Sequence, residues 1–413
     1  MTLKLLQNLH ALLVTNPTNI RYLTGFVGAA PEEREAYVLV TKSQGYLFTN
    51  ALYRQEAIKL TQNPDSLKRL NLLCLKDLTF IEISREEPFA KKLKEILDSP
   101  PTGRITRTIK LGFDENDLTV AEYTKLKKEL KGVTLVPTNN RIEELRMIKR
   151  PDEIANIKKA AKLTDQCFTF ILSKLTPGVE EGEIVWEIES FFRKNDATLA
   201  FSPIVAFGKN SSQPHYQPST VYSSSEESST SREVHRDSSR LRSNDIILLD
   251  FGARINGYCS DMTRVVFIGK PKDEWRRAYQ TVLKAQISVI QRMQSCYHVP
   301  LHDSKFIKLS GAQLDRMAKK VIQKAGLPPY PHSLGHGVGL AIHEIPRLIA
   351  RKDRILPKSQ PRKDAILLSG MVFTVEPAVY VEGAYGIRIE DLILLKKDGI
   401  ELLSQSPKEM IVL

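Results

Sequence analysis

Short apolar runs bounded by polar or turn residues open the chain. Ala11–Val14, Ala36–Val40 and residues 45–48 have the length and flanks of buried strands. Residues 89–97 and 120–130 instead repeat apolar positions at helical spacing. Strands mixed with helices over about the first 135 residues predict an α/β domain large enough for its own core. The turn-rich stretch Val136-Pro-Thr-Asn-Asn-Arg141 then marks a boundary, giving domains 1–138 and 139–413. Pro151, followed by Asp152 and Glu153, suits the first turn of a helix. Its apolar positions run in helical phase from Ile154 to Leu175, and Pro177-Gly178 is expected to end it. A second helix is expected over Glu181–Lys194.

Further along, the pattern turns to hairpins. In Ile246-Ile-Leu-Leu-Asp-Phe-Gly-Ala-Arg-Ile-Asn-Gly-Tyr-Cys-Ser-Asp-Met-Thr-Arg-Val-Val-Phe267, two apolar runs flank Asn256-Gly257, a strong signal for a two-residue turn. That register pairs 255 with 258 and Asp250 with Thr263. Asp250 and Asp261 then share a face as diagonal neighbours, about 7–8 Å apart at Cα. Two acids facing an apolar core repel each other and lose hydration, and a cation between them removes both penalties. The competing reading has Asp250 capping a strand end and Asp261 binding backbone, and the pair alone does not decide. A second pair, Glu376 and Glu390, lies in β-like runs around a turn near Gly383, which sets the two glutamates opposite each other. Solvated edge-strand glutamates are the alternative, disfavoured by the apolar neighbours on both sides.

Between the pairs lies Pro331-His-Ser-Leu-Gly-His-Gly-Val-Gly-Leu-Ala-Ile-His-Glu-Ile-Pro-Arg347. Glycines beside His336 permit close backbone approach to a site. Arg347 stands where the second histidine of H-E-x-x-H would be, which excludes the zincin pattern. Asp250, Asp261, His336, Glu376 and Glu390 together form an oxygen-rich donor set. It suits two Mn²⁺-like ions better than a Zn²⁺ held by thiolates. Such ions, about 3.5–4 Å apart, share a water whose pKa they lower.

Composition narrows the class. The 413 residues predict two or three domains; 42% hydrophobic and 26% charged residues exclude a disordered or fibrous chain. Cys74, Cys167, Cys259 and Cys296 are scattered without zinc spacing, so reduced thiols in a cytoplasm are expected. No apolar N-terminal core suggests a signal peptide, and no run reaches transmembrane length. Sixty Lys and Arg against 48 Asp and Glu give a net charge of +12, which invites a nucleic-acid partner. The basic residues alternate with acids, however, as in Lys125-Leu-Lys-Lys-Glu-Leu-Lys131, so a solvated surface is expected instead. Residues 219–243 hold ten serines and read as a polar surface loop, as do residues 351–364.

With these motifs in hand, nearly the whole chain resembles the aminopeptidase P/prolidase group of pita-bread metallopeptidases. The ordered Asp, Asp, His, Glu, Glu set and four flanking stretches carry the resemblance: Ser260-Asp-Met-Thr-Arg264, Gly335-His-Gly-Val-Gly339, Thr374-Val-Glu-Pro377 and Ile387-Arg-Ile-Glu-Asp391. Asn16-Pro-Thr-Asn-Ile-Arg-Tyr-Leu-Thr-Gly-Phe26 resembles the start of that group's N-domain, and Leu145-Arg-Met-Ile-Lys149 the start of its catalytic domain. The resemblance implies an α+β chain, with a pita-bread catalytic domain behind a smaller α/β creatinase/prolidase-type domain. It implies two divalent ions per subunit, Mn²⁺ first and Co²⁺ or Zn²⁺ as alternatives, on Asp250, Asp261, His336, Glu376 and Glu390. It further assigns His215 and His343 to the substrate and tetrahedral intermediate, Glu376 to general base, and Arg388 to organising the site beside Glu390. Arg347 would bind a product-side carboxylate, and His332 joins His215 and Arg347 as substrate-binding residues.

The implied reaction is hydrolysis of the bond between an N-terminal residue and a following proline in short peptides, by a metal-bridging hydroxide. Dipeptidase and aminopeptidase action stay open. A homodimer is implied; no nucleic-acid or membrane partner is expected. Two alternatives remain: a catalytically silent pita-bread binding protein using its basic surface, and a creatinase-like C–N hydrolase. Ala378 in place of the usual glycine, Asn50 and Leu52 in place of Asp and Arg, the Ser-rich insert and an apparent insertion at 301–309 depart from the family.

Overall fold

In a computed structural model of the protein, the described residues are 5–30, 33–63, 77–98, 108–217, 239–297, 309–350 and 366–413. Most of the Ser-rich stretch, nearly all of the segment at 301–309 and the polar loop at 351–364 lie outside them. The chain forms two units, Met1–Arg146 and Met147–Leu413.

The first unit is built on a six-stranded mixed sheet of β1 (Ala11–Val14), β2 (Ala36–Val40), β3 (Gln44–Thr49), β4 (Asp77–Glu82), β5 (Ile109–Asp114) and β6 (Val133–Thr138), in the order β4-β3-β2-β1-β5-β6. The three expected strands are among these. Both expected helices form as well, at Phe89–Asp98 and Val120–Glu129. The first buries Ala90, Leu93 and Leu97 against Leu13, Leu39, Phe48 and Leu111 of the sheet. The second begins at a capping box, with Thr119 and Glu122 each accepting from the other's backbone N–H.

In the second unit, helices Pro151–Leu172 and Glu181–Lys194 precede β7 (Thr198–Leu199) and β8 (Ile204–Phe207). The first helix stops three residues before the expected Leu175. Pro177 has no N–H for the Ser173 carbonyl four residues back and its ring would clash there, and the helix ends with Ser173 as its C-cap, where the chain turns. Leu175 is delivered to the core by that turn, with 4% exposure.

The strands that follow are β9 (Ile246–Phe251), β10 (Ala253–Ile255), β11 (Tyr258–Cys259) and β12 (Met262–Phe267). Ile255 pairs with Tyr258 and Asp250 with Thr263, the register read from Asn256-Gly257. Both turn residues have positive φ, 50° and 87°, as a type I′ turn requires. Strand β9 is buried on both faces. Ile247, Leu249 and Phe251 meet Phe168, Ile188 and Phe192 of the two helices. Ile246 and Leu248 face a second core with helices Asp273–Tyr297 and Gly311–Lys324. Asp250 falls in phase with Ile246 and Leu248.

The remaining strands are β13 (Gly335–Gly337), β14 (Glu344–Leu348), β15 (Val372–Val375), β16 (Ala378–Val381), β17 (Tyr385–Arg388), β18 (Asp391–Lys396), β19 (Gly399–Leu402) and β20 (Ile411–Val412). β15 pairs with β18 and β16 with β17 in one continuous register, Val375 facing Asp391 and Ala378 facing Arg388. Glu376 and Glu390 stand opposite each other in that register, as the turn at Gly383 implies.

Arg264 locks the two hairpins together. Its guanidinium is buried and donates to the carbonyls of Thr263, Glu390, Ser406 and Pro407 and to the Asp391 carboxylate at 2.7 Å. Arg264→Met would leave Asp391 with Lys408 as its one ionic partner among the described residues. Removing one member of a buried pair costs about 3–5 kcal/mol. We expect a drop of that order in the free energy of chemical unfolding, measured by circular dichroism in urea.

Candidate metal centre

The four acids and the imidazole come from five separate places along the second unit. Asp250 is the penultimate residue of β9, Asp261 precedes β12, His336 is the middle of β13, Glu376 follows β15 and Glu390 precedes β18. All five line one cavity of about 530 Å³. Asp261, His336 and Glu390 each bring a donor atom within 4.8 Å of the other two. Glu376 Oε1 stands 3.5 Å from His336 Nε2, and Asp261 Oδ2 stands 3.6 Å from the same nitrogen.

The imidazole is turned for coordination. His336 Nδ1 lies 3.1 Å from the carbonyl of Gly337, to which it donates as N–H, so Nε2 presents its lone pair to the carboxylates. Burial, and then the neighbouring His343, pushes His336 down to about 3, so the ring is neutral near pH 7. The Thr374 hydroxyl accepts from the His336 backbone N–H at 3.1 Å and donates to Glu376 at 3.3 Å, tying β13 to β15.

Arg388 is the cation buried among these acids. It donates to Asp250 Oδ2, to the Thr263 hydroxyl at 3.0 Å, to the Tyr380 hydroxyl at 2.6 Å and to the carbonyl of Pro214 at 3.2 Å. Thr263 in turn donates to Glu390 at 2.6 Å. One guanidinium does not balance four carboxylates. Burial, then Glu390, Asp250 and Glu376, holds Asp261 well above the usual carboxylate range. Burial, then Glu376 and Asp250, does the same to Glu390. Asp250 is raised by burial although Arg388 opposes it, and Glu376 is pushed up to about 7 by burial against the same opposition.

These observations fit a divalent cation. Among the described residues Asp250 Oδ1 is buried without a hydrogen-bond partner, as a ligand oxygen reserved for a cation would be. The donors are carboxylate oxygens and one neutral imidazole, with no thiolate among the residues described around them.

The remaining expected residues stand around this centre. His215 and His343 are exposed on the cavity wall, the His343 ring 4.4 Å from that of His336. Arg347 also lines the wall and is exposed. His332 is closer in, with Nδ1 at 3.8 Å from Glu376 and Nε2 at 3.2 Å from the Tyr380 hydroxyl. Burial, and then Arg388, pushes His332 down to about 3.

Three contributors carry no sequence expectation. Thr263 faces Asp250 in the hairpin register, so its place was open to inference. Tyr380 alternates in phase with Glu376 along one run, a weaker signal. Glu181 gives no local signal at all. It is fully buried and accepts from Phe207 N, Asn210 Nδ2 and the Tyr216 hydroxyl at 2.7, 2.9 and 2.7 Å, fixing the turn that carries His215.

Comparison with known proteins adds an independent line. Residues 155–397 match metallopeptidase family M24, and residues 6–148 match the creatinase/prolidase N-terminal domain. An uncharacterized peptidase of Bacillus subtilis, YqhT, is 30% identical over 404 residues, covering 97% of this chain and 95% of the relative. Among solved structures, an Xaa-Pro dipeptidase from Bacillus anthracis is 30% identical, with a TM-score of 0.76 over 100% of this chain and 99% of that one. An X-Pro aminopeptidase from Thermotoga maritima shows 26% identity and a TM-score of 0.74, covering 98% of each chain. A prolidase from Pyrococcus horikoshii shows 25% identity and 0.76, covering 99% of each.

A raised carboxylate pKa has a defined sign. The folded state holds these protons more tightly than the unfolded chain, so their contribution is present at low pH and is lost as pH rises through the folded values, about 7 for Glu376. A cation needs the ionised forms and competes with the protons. Isothermal titration of the metal-free protein with Mn²⁺ should therefore give affinity that rises between pH 5 and pH 8 with release of protons. Thermal stabilisation by Mn²⁺ should be larger at pH 8 than at pH 5.

Proposed function

The chain belongs to metallopeptidase family M24 and is a metal-dependent peptidase. From that premise we propose that it hydrolyses the bond between an N-terminal residue and a following proline in short peptides, using two divalent cations held by Asp250, Asp261, His336, Glu376 and Glu390. The observation that carries this reading is the convergence of the five donors in one cavity whose wall bears His215, His332, His343 and Arg347. The substrate class comes from the similar solved proteins, an Xaa-Pro dipeptidase, an X-Pro aminopeptidase and a prolidase.

Charge supports two ions over one. Four ionised carboxylates against Arg388 leave three negative charges buried together, which one divalent cation does not neutralise. Mn²⁺ is the ion this oxygen-rich set favours, with Co²⁺ or Zn²⁺ as substitutes. Bound there, divalent cations would polarise the scissile carbonyl and acidify the attacking water.

This chain's own residues supply the rest. Glu376, raised towards neutrality, takes the proton of the attacking water and returns it to the proline nitrogen as the bond breaks. His215 and His343, on the wall, donate to the carbonyl oxygen as it gains charge. Neutral His332 is a hydrogen-bonding group beside Glu376 rather than a competing cation. Arg388 holds Asp250 from behind and keeps its second oxygen free for a cation. Arg347 offers a guanidinium to the free carboxylate of a dipeptide, which favours prolidase-type over aminopeptidase-type action. A cytoplasmic homodimer belongs to the same reading. Among the described residues no helix is long and apolar enough to cross a membrane.

The test is hydrolysis of an Xaa-Pro dipeptide and an Xaa-Pro-Yaa tripeptide by the Mn²⁺- or Co²⁺-loaded protein, beside Asp261→Asn. Cleavage that needs the metal and falls by about 10²-fold or more in Asp261→Asn is expected. Turnover of the dipeptide alone would assign prolidase action. Metal-dependent cleavage of neither substrate would overturn the reading, and full activity in Asp261→Asn would overturn the ligand set.

A further inference from the structure

The stretch His343-Glu-Ile-Pro-Arg347 alternates outward and inward. His343 and Arg347 are exposed towards the cavity, whereas Glu344, Pro346 and Leu348 are buried. An inward glutamate is unusual, because an ionised carboxylate without a partner in the interior is strongly unfavourable. Its partner lies far back in the chain. Lys149 Nζ stands 2.9 Å from Glu344 Oε2, with side-chain exposures of 1% and 5%.

Both ends of this pair are anchored. The Lys149 backbone N–H donates to the carbonyl of Gly370 at 2.8 Å, just before β15. Glu344 Oε1 accepts from the Ala341 backbone N–H at 3.0 Å and so closes the turn that leads into His343. Gly339 belongs to the same arrangement: a Cβ there would sit 2.7 Å from the Glu344 carboxylate, so only glycine lets the carboxylate reach its place. The Gly339 carbonyl then accepts from the Cys259 N–H at 2.8 Å, tying the turn to β11.

From this geometry we propose that Lys149 and Glu344 are positioning residues for the reaction. The buried pair fixes the backbone of the 339–344 turn and thereby aims His343 at the scissile carbonyl. Neither residue touches substrate. The pair gives a physical reason for the lysine at the start of the second unit and for the glutamate that follows the catalytic histidine. The proposal rests on the reading of His343 given above.

A double-mutant cycle on the full chain loaded with Mn²⁺ separates positioning from bulk stability. Lys149→Met is made in the native and His343→Ala backgrounds, with kcat and KM for an Xaa-Pro dipeptide as readouts. We expect Lys149→Met to lower kcat about tenfold or more in the native background and less than about twofold in His343→Ala, with KM changed by less than about threefold. If Lys149→Met does not fold by circular dichroism, the cycle is run with Lys149→Met/Glu344→Gln, which removes both charges and keeps the shapes, with the same expectation. Equal losses in the two backgrounds, or native kcat in the folded charge-free variant, would overturn the proposal while leaving His343 in place. Full activity of His343→Ala would overturn the reading of His343 and this proposal with it.

Discussion

Four carboxylates in one cavity, three buried and Glu376 nearly so, set the terms for this half of the molecule. Left alone they repel one another and resist ionisation, and their elevated pKa values record that burden. Among the described residues one buried guanidinium, Arg388, stands between them. The scaffold must therefore hold like charges together by force of packing until a cation relieves them. Every donor accordingly sits on or directly beside a strand, and the strands are buried on both faces.

That constraint explains the buried polar clamps. Arg264 joins the backbone carrying Asp261 and Thr263 to the backbone carrying Glu390. Thr263 and Thr374 bridge donors on neighbouring strands through their hydroxyls. Glu181 and the Lys149–Glu344 pair do the same service for the exposed histidines at the wall, which have no core of their own to pack into. Precision at the centre thus comes from hydrogen-bonded side chains whose partners lie up to 195 residues away.

How much of this could be read from the sequence depended on range. Asn256-Gly257 set the register of one hairpin and Gly383 that of the other, so the facing of Asp250 with Thr263 and of Glu376 with Glu390 followed from local rules. Helix starts at Pro151 and Glu181 were equally local, while the end at Leu172 was missed because periodicity continues to Leu175 after the backbone has turned. No spacing rule brings the two hairpins together with His336; that grouping rested on donor chemistry and on the family resemblance. Glu181 and the Lys149–Glu344 pair were invisible as partners, because nothing near any of these residues in the chain announces a contact made across the fold.

The central claim is that these five residues form one centre for two divalent ions, and metal stoichiometry tests it without reference to any substrate. The protein is stripped with chelator and dialysed to equilibrium against Mn²⁺ at pH 8, and bound metal is counted by elemental analysis beside Glu390→Ala. Two ions per chain are predicted, falling to one or none in Glu390→Ala. No bound Mn²⁺ in the folded native chain, or equal uptake by the variant, would contradict the account.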